Sequence, residues 1–197
     1  MIGQSRFFNS WFFVLLTFIL CAITPVRVRA QNTNQAVISA DAAKRSLSKV
    51  EISGEAAEKI AHLCEDFAAK HNYPTVIFIL DPSGNIVHAH RMDGIRPVQF
   101  DGALRKAKTA LFFRTSTHEL QNRAQNSISE QLRFMQRDLY PYAGGLPIIQ
   151  DGQMIGAIGV AGSDPMDEQC AYDALTAVVG PQPPLAKSIP PAGQAPR

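Results

Sequence analysis

Apolar positions recur at helical spacing behind Ser53. Ala57, Ile60, Ala61, Cys64, Phe67 and Ala68 share one face, which predicts a helix capped by the Ser53 hydroxyl. Asn72-Tyr73-Pro74 ends it, and a shorter helix is expected ahead of it over Asp41–Lys49. The pattern then changes: TVIFIL (75–80) is apolar and β-branched, DPSGN is a turn, and IVHAHR (86–91) alternates. Two short strands across such a turn predict a β-hairpin. A helix is expected from Asp101 to about Phe113, with Leu104, Ala107, Ala110 and Leu111 facing inward. Ser116 and Glu119 form a capping box that starts another helical segment, HELQNRAQNSISEQLRFM, polar enough to be partly exposed. After the glycine-rich loop PYAGGLP (141–147), PIIQ, the turn Asp151-Gly152 and MIGAIGVAG predict a second hairpin. A last helix spans Ser163 to Val179 and stops at Gly180-Pro181. The order helix, hairpin, helices, hairpin, helix predicts an α/β (α+β) single domain, an antiparallel sheet with packed helices. No internal repeat is evident.

The ends read differently. Arg6 precedes an apolar run from Trp11 to Ile23, and Val28-Arg29-Ala30 suits cleavage before Gln31. A positive start, a short apolar core and a small residue at the cut describe a signal peptide over 1–30. The run is shorter than the ~20 residues that cross a bilayer. The expectation is therefore a periplasmic or secreted protein with no stable membrane span after cleavage. Residues 31–40 form a flexible lead-in, and the domain proper spans 41–180. From Gly180 the chain carries six of its 13 prolines, and residues 181–197 are expected to be a disordered tail.

Cleavage changes the charge balance. The chain carries 19 basic and 17 acidic residues; residues 1–30 hold three arginines and no acid, so 16 basic and 17 acidic side chains remain. Nothing is left to attract nucleic acid or anionic lipid. Cys64 and Cys170 remain in apolar helical patterns. Buried free thiols are the simpler reading, while an exported protein permits a bridge between them.

Candidate chemistry is sparse. Gly156 and Gly159 lie inside a strand pattern, where glycine marks close approach of another backbone or ligand. Gly144-Gly145 have no following lysine, so a phosphate loop is not indicated. His88 and His90 alternate along a strand and project from one face, a spacing that can bind a metal or face a haem. The plainer alternative is solvated polar residues on an open strand face. His118 sits at a helix start, and His62 and His71 are too far apart for a tight site. Phe112, Phe113 and Phe134 read as core, and Tyr140 and Tyr142 flank Pro141 where they can line a pocket. No Ser/His/Asp order or close carboxylate pair stands out, so spacing alone supports binding rather than catalysis.

Four segments together resemble one family. VIFILDPSGNIVHAHRMDG is similar to its hairpin, with Asp81, Gly84, Arg91, Met92, Asp93 and Gly94 in place. KAKTALFFRTSTHEL carries Lys106, Ala107, Thr109, Ala110, Phe113, Thr117 and Leu120. GGLPIIQDGQMIGAIGVAG and DEQCAYDAL complete the order over about residues 41–180. These resemble the GlcG/HbpS family of haem-binding proteins, which includes the C-terminal domain of PduO and members described as haem-degrading. The resemblance implies a profilin-like fold, homo-oligomers and a haem cofactor. Thr117 matches a threonine associated with haem iron in the family, although Ser116 stands where proline is usual. The implied site comprises Thr117, His88, His90, His118, Arg91, Arg114, Gly144 and Gly145, with Thr117, His88 and His90 as metal ligands. Arg91, Arg114 or Lys106 would hold propionates. The alternative is a small organic-acid-binding or accessory module without haem, framed by GGLPI and Arg91.

Overall fold

The first strand of the first hairpin has no polar position because both its faces are covered. A computed structural model describes residues 50–189. The expected signal peptide, residues 31–40, the helix over Asp41–Lys49 and the end of the tail (190–197) lie outside these described residues. The elements run α1 (Gly54–Lys70), β1 (Val76–Leu80), β2 (Ile86–Arg91), α2 (Pro97–Phe113), α3 (Thr117–Gln125), α4 (Ile128–Gln136), β3 (Gly145–Gln150), β4 (Gln153–Ala161) and α5 (Asp164–Val178). The four strands form one antiparallel sheet in the order β2-β1-β4-β3. This is the antiparallel sheet with packed helices that the pattern predicts, and it agrees with the profilin-like fold that the resemblance implies.

Helices cover both faces. Ile77 and Ile79 of β1, with Ile158 and Val160 of β4, pack under α1 and α5. The alternate residues Val76, Phe78 and Leu80 meet Ala103 and Ala107 of α2. The two-residue period of a strand thus supplies both core layers from one run. Full burial of each such aliphatic side chain stabilises by about 1.5–3 kcal/mol. A third small cluster, Leu120, Ala124 and Phe134, holds α3 against α4.

Several local expectations are refined. Helix α2 begins at Pro97, not Asp101, because the Gln99 side chain reaches back to accept from the Arg96 amide and proline occupies the first turn. The expected single segment after Ser116 is two helices, because Ser127 caps a fresh start by accepting from the Glu130 amide. Ser53 and Ser116 cap as expected. Phe134 is core, but Phe112 is 61% exposed on the outer face of α2. Gly156 and Gly159 serve close approach: a Cβ on Gly159 would strike the α2 backbone at Ala103 and Ala107.

Cys64 and Cys170 are bonded, with Cα atoms 5.1 Å apart, so α1 and α5 are stapled and the free-thiol reading is replaced by the bridge. Closing a loop with a sequence separation of 106 removes much unfolded-state entropy. Reduction is expected to lower stability by about 2–4 kcal/mol, read as a fall in the urea midpoint with dithiothreitol. No change in midpoint would contradict a bridge in solution.

The first part of the proline-rich tail, residues 181–189, forms no helix or strand but is bonded to the domain. Gln182 both accepts from the Ile149 amide (3.0 Å) and donates to its carbonyl (2.9 Å), on edge strand β3. Asn122 donates to the Lys187 carbonyl and accepts from the Ile189 amide. A side-chain amide on the free backbone of an edge strand satisfies groups that would otherwise recruit another strand.

Candidate functional site

The loop between α4 and β3 is built by side chains of α2 and α3. Thr109 accepts from the Tyr140 amide (2.9 Å), and Gln121 accepts from the Ala143 amide (3.1 Å). Thr117 is fully buried; its hydroxyl donates to the Tyr142 carbonyl and accepts from the Gly145 amide at 2.8 Å. These three contacts fix the backbone of both tyrosines, whose rings lie 4.9 Å apart. The Arg105 guanidinium stacks over Tyr140 at 5.1 Å and is paired with Asp101 and Asp138.

This loop is one wall of the main cleft. A cavity of about 690 Å³ opens between Phe134, Met135, Leu139, Tyr140, Tyr142 and Arg105. A second cavity of about 350 Å³ adjoins it through the same two tyrosines and is lined by Arg96, Gln99, Gly102 and Lys106. The main cleft is of ligand-binding size, and its apolar side chains are interleaved with Gln121, Gln125, Gln131 and Arg105. The Nε of Arg105 is buried without a hydrogen-bond partner among the described residues.

The expected site residues fall in separate places. His88 and His90 pair with Ile79 and Ile77 across the sheet, so they face the α1 layer, opposite α2 and Thr117. His90 lies 3.2 Å from Glu65, whose other oxygen is 3.3 Å from His62. Arg91 borders a shallow cavity beside Ile95, Pro97 and Phe100. Arg114 caps α2 in the left-handed region (φ 55°) and is exposed. His118 holds Glu168 through Nδ1 (2.8 Å) and Ser188 through Nε2 (3.1 Å). Burial pushes the Glu168 carboxyl above its usual range, against the opposing pull of His118, Lys106 and Ser116. Among the described residues no three His, Cys, Asp or Glu side chains converge on a metal position.

Gly144 and Gly145 pack against the protein itself. A Cβ on Gly144 (φ +116°) would meet the Val160 carbonyl at 2.6 Å, and one on Gly145 would meet Thr117 and the Lys106 carbonyl at 2.6 Å. Lys106 is likewise interior: its Nζ donates to the Val160 carbonyl (3.0 Å) and to buried Asp167 (3.1 Å). Phe134, Met135, Leu139 and Arg105 were not singled out as a site by the sequence. The pairing of Tyr140 and Tyr142 around a proline was the available signal.

Tyr73 lies near the same buried pair. Burial, with a smaller contribution from Asp167, pushes its phenol up from 10.0 to about 12, and its hydroxyl has no hydrogen-bond partner among the described residues. Between pH 10.0 and about 12 the unfolded chain loses this proton while the folded chain keeps it, so stability falls as pH rises. Tyr73→Phe is expected to flatten that alkaline fall and to raise stability at neutral pH by about 1 kcal/mol. Urea titrations at neutral and alkaline pH check both.

Comparison with known proteins places this geometry in context. GlcG of Escherichia coli K12 is 30% identical over 115 residues, covering 58% of this chain and 84% of its own length. A double mutant of HbpS from Streptomyces reticuli superposes with a TM-score of 0.57 at 34% identity, over 66% of this chain and 88% of that one. The crystal structure of a PduOC:heme complex matches with a TM-score of 0.60 at 26% identity, over 66% and 96%. Residues 52–176, from Ile52 just before α1 to within α5, match the family model described as haem degrading protein HbpS-like, and the chain belongs to that family.

Proposed function

We propose that this chain is an exported haem-binding protein whose tetrapyrrole lies in the cleft walled by α2, α3, α4 and the tyrosine loop. The observation that carries the reading is that cleft: about 690 Å³ lined by Phe134, Met135, Leu139 and two phenols, with glutamines and Arg105 among them. Its donor chemistry fits haem. Phe134, Leu139 and Met135 suit the macrocycle, and a phenol is an established type of iron ligand. Arg96, through the adjoining cavity, would hold a propionate by charge-assisted hydrogen bonds. The PduOC relative is a heme complex, which supports the same ligand here. When bound, haem supplies the redox-active iron; the chain's own part is to exclude water with its apolar side chains and to fix the loop through Thr109, Thr117 and Gln121.

The Cys64–Cys170 bridge supports export, since disulfides persist in oxidising compartments. Exposed Ile128, Leu132 and Met135 on α4 support assembly of a homo-oligomer, because exposed apolar stripes mark contact surfaces. Haemin titration with absorbance in the Soret region tests the main claim: a saturable, stoichiometric shift is expected. A featureless titration sinks it. Arg96 and Gln99 in the second cavity favour the alternative, a small organic acid. Thermal stabilisation by such acids, with none by haemin, would move the assignment there.

A further inference from the structure

Resting on the haem-binding reading, we propose that Tyr142 is the side chain that ligates the iron. The cleft narrows the choice by its own composition. Among the described residues that line it, the groups able to bond iron are the phenols of Tyr140 and Tyr142 and the thioether of Met135. No described histidine lines it. His118 has both ring nitrogens engaged, by Glu168 and Ser188, while His88 and His90 face the opposite layer. Thr117 is buried, its hydroxyl holding the Tyr142 carbonyl and the Gly145 amide. Using it as a ligand would release the loop that shapes the cleft.

Between the two phenols the surroundings decide. Tyr140 is held by two partners: the Arg105 guanidinium covers its ring, and Thr109 accepts from its amide. Tyr142 is 47% exposed and sits at the boundary between the two cavities. Its backbone is anchored by Thr117, so the half-exposed side chain projects from a fixed point. That combination, a rigid base and an accessible donor, is what a preorganised ligand requires. Met135 is accessible as well, at 76% exposure, but a thioether is a soft ligand and ferric iron prefers a hard anionic oxygen. In ligation the phenolic O–H breaks, the proton passes to solvent and the oxygen keeps the electron pair that it donates; iron keeps its oxidation state.

The test is resonance Raman and electron paramagnetic resonance of the chain loaded with haemin. The unmodified protein is expected to show iron–phenolate modes and a high-spin ferric signal. Tyr142→Phe should lose those modes, shift the Soret maximum and bind haemin at least ~10-fold more weakly, about 1.4 kcal/mol. Tyr140→Phe and Met135→Leu should keep the modes, and circular dichroism should show all three variants folded. Haemin binding with a spectrum unchanged in Tyr142→Phe overturns the ligand assignment and leaves haem binding standing. Loss of the modes in Tyr140→Phe instead, or their absence from the unmodified protein, likewise overturns it. Failure of the unmodified protein to take up haemin removes both readings.

Discussion

Gly159→Val is expected to destabilise the domain by about 4 kcal/mol or more, enough to leave much of it unfolded at 37 °C. Gly159 sits in β4 directly opposite Phe78 on one side and Gly145 on the other. Its missing side chain is what allows α2 to lie on the sheet, because a Cβ there would overlap the α2 backbone at Ala103 and Ala107 and press the Ala107 Cβ at 2.9 Å. Backbone atoms cannot step aside as a flexible side chain can, so the helix itself would have to lift. That would disturb Lys106, Thr109 and, through Thr109, the Tyr140 amide. A urea midpoint close to the unmodified value would show that α2 does not pack this tightly. Gly54→Ala is the useful control, since nothing lies within 4 Å of its Cβ position and its backbone is helical.

Lys106→Met is expected to cost about 3–5 kcal/mol, by leaving the Asp167 carboxylate in the interior without its cation. Lys106 and Asp167 are 2% and 0% exposed, and the ammonium bridges the β4 carbonyl of Val160 to the first turn of α5. Asp167 also accepts from the Ser163 amide at 2.8 Å, so the pair orients the start of α5. The damage from losing one partner is mainly the stranded charge, not the lost attraction. The double variant Lys106→Met, Asp167→Leu should therefore be more stable than the sum of the single losses predicts. Additive losses, measured by urea denaturation at neutral pH, would mean the two charges do not depend on each other.

Much of the fold was readable along the chain because its main elements carry their own local signatures. The two hairpins stand out by period and turn chemistry, and they are β1–β2 and β3–β4. Ser53 and Ser116 announced α1 and α3 by cap residues. The early start of α2 was hidden because its cap is an arginine, with Gln99 reaching back, rather than a hydroxyl residue. The break between α3 and α4 was hidden in a uniformly polar stretch, where helical spacing continues across Asn126 and only the Ser127 cap marks the restart.

The candidate site was less readable, and for a different reason. Histidine spacing in β2 correctly put His88 and His90 on one face, yet a strand's period does not say which layer that face meets. Sheet order and the helix layers settle it, and they place these histidines against α1. Glycines 144 and 145 advertised a special backbone, but the space beside them is taken by Lys106 and Thr117, not left for a ligand.

The sequence by itself determined the element types, the antiparallel hairpins and the family to which residues 52–176 belong. Each of these rests on local periodicity, on composition or on motifs whose order survives without coordinates. Only the tertiary structure decided that Cys64 meets Cys170, that Lys106 is buried on Asp167, and that Tyr142 rather than a histidine stands open at the cleft. Those are contacts between residues tens of positions apart, set by how α2 and α5 pack on the two faces of one sheet, and no local pattern encodes which distant side chain will arrive.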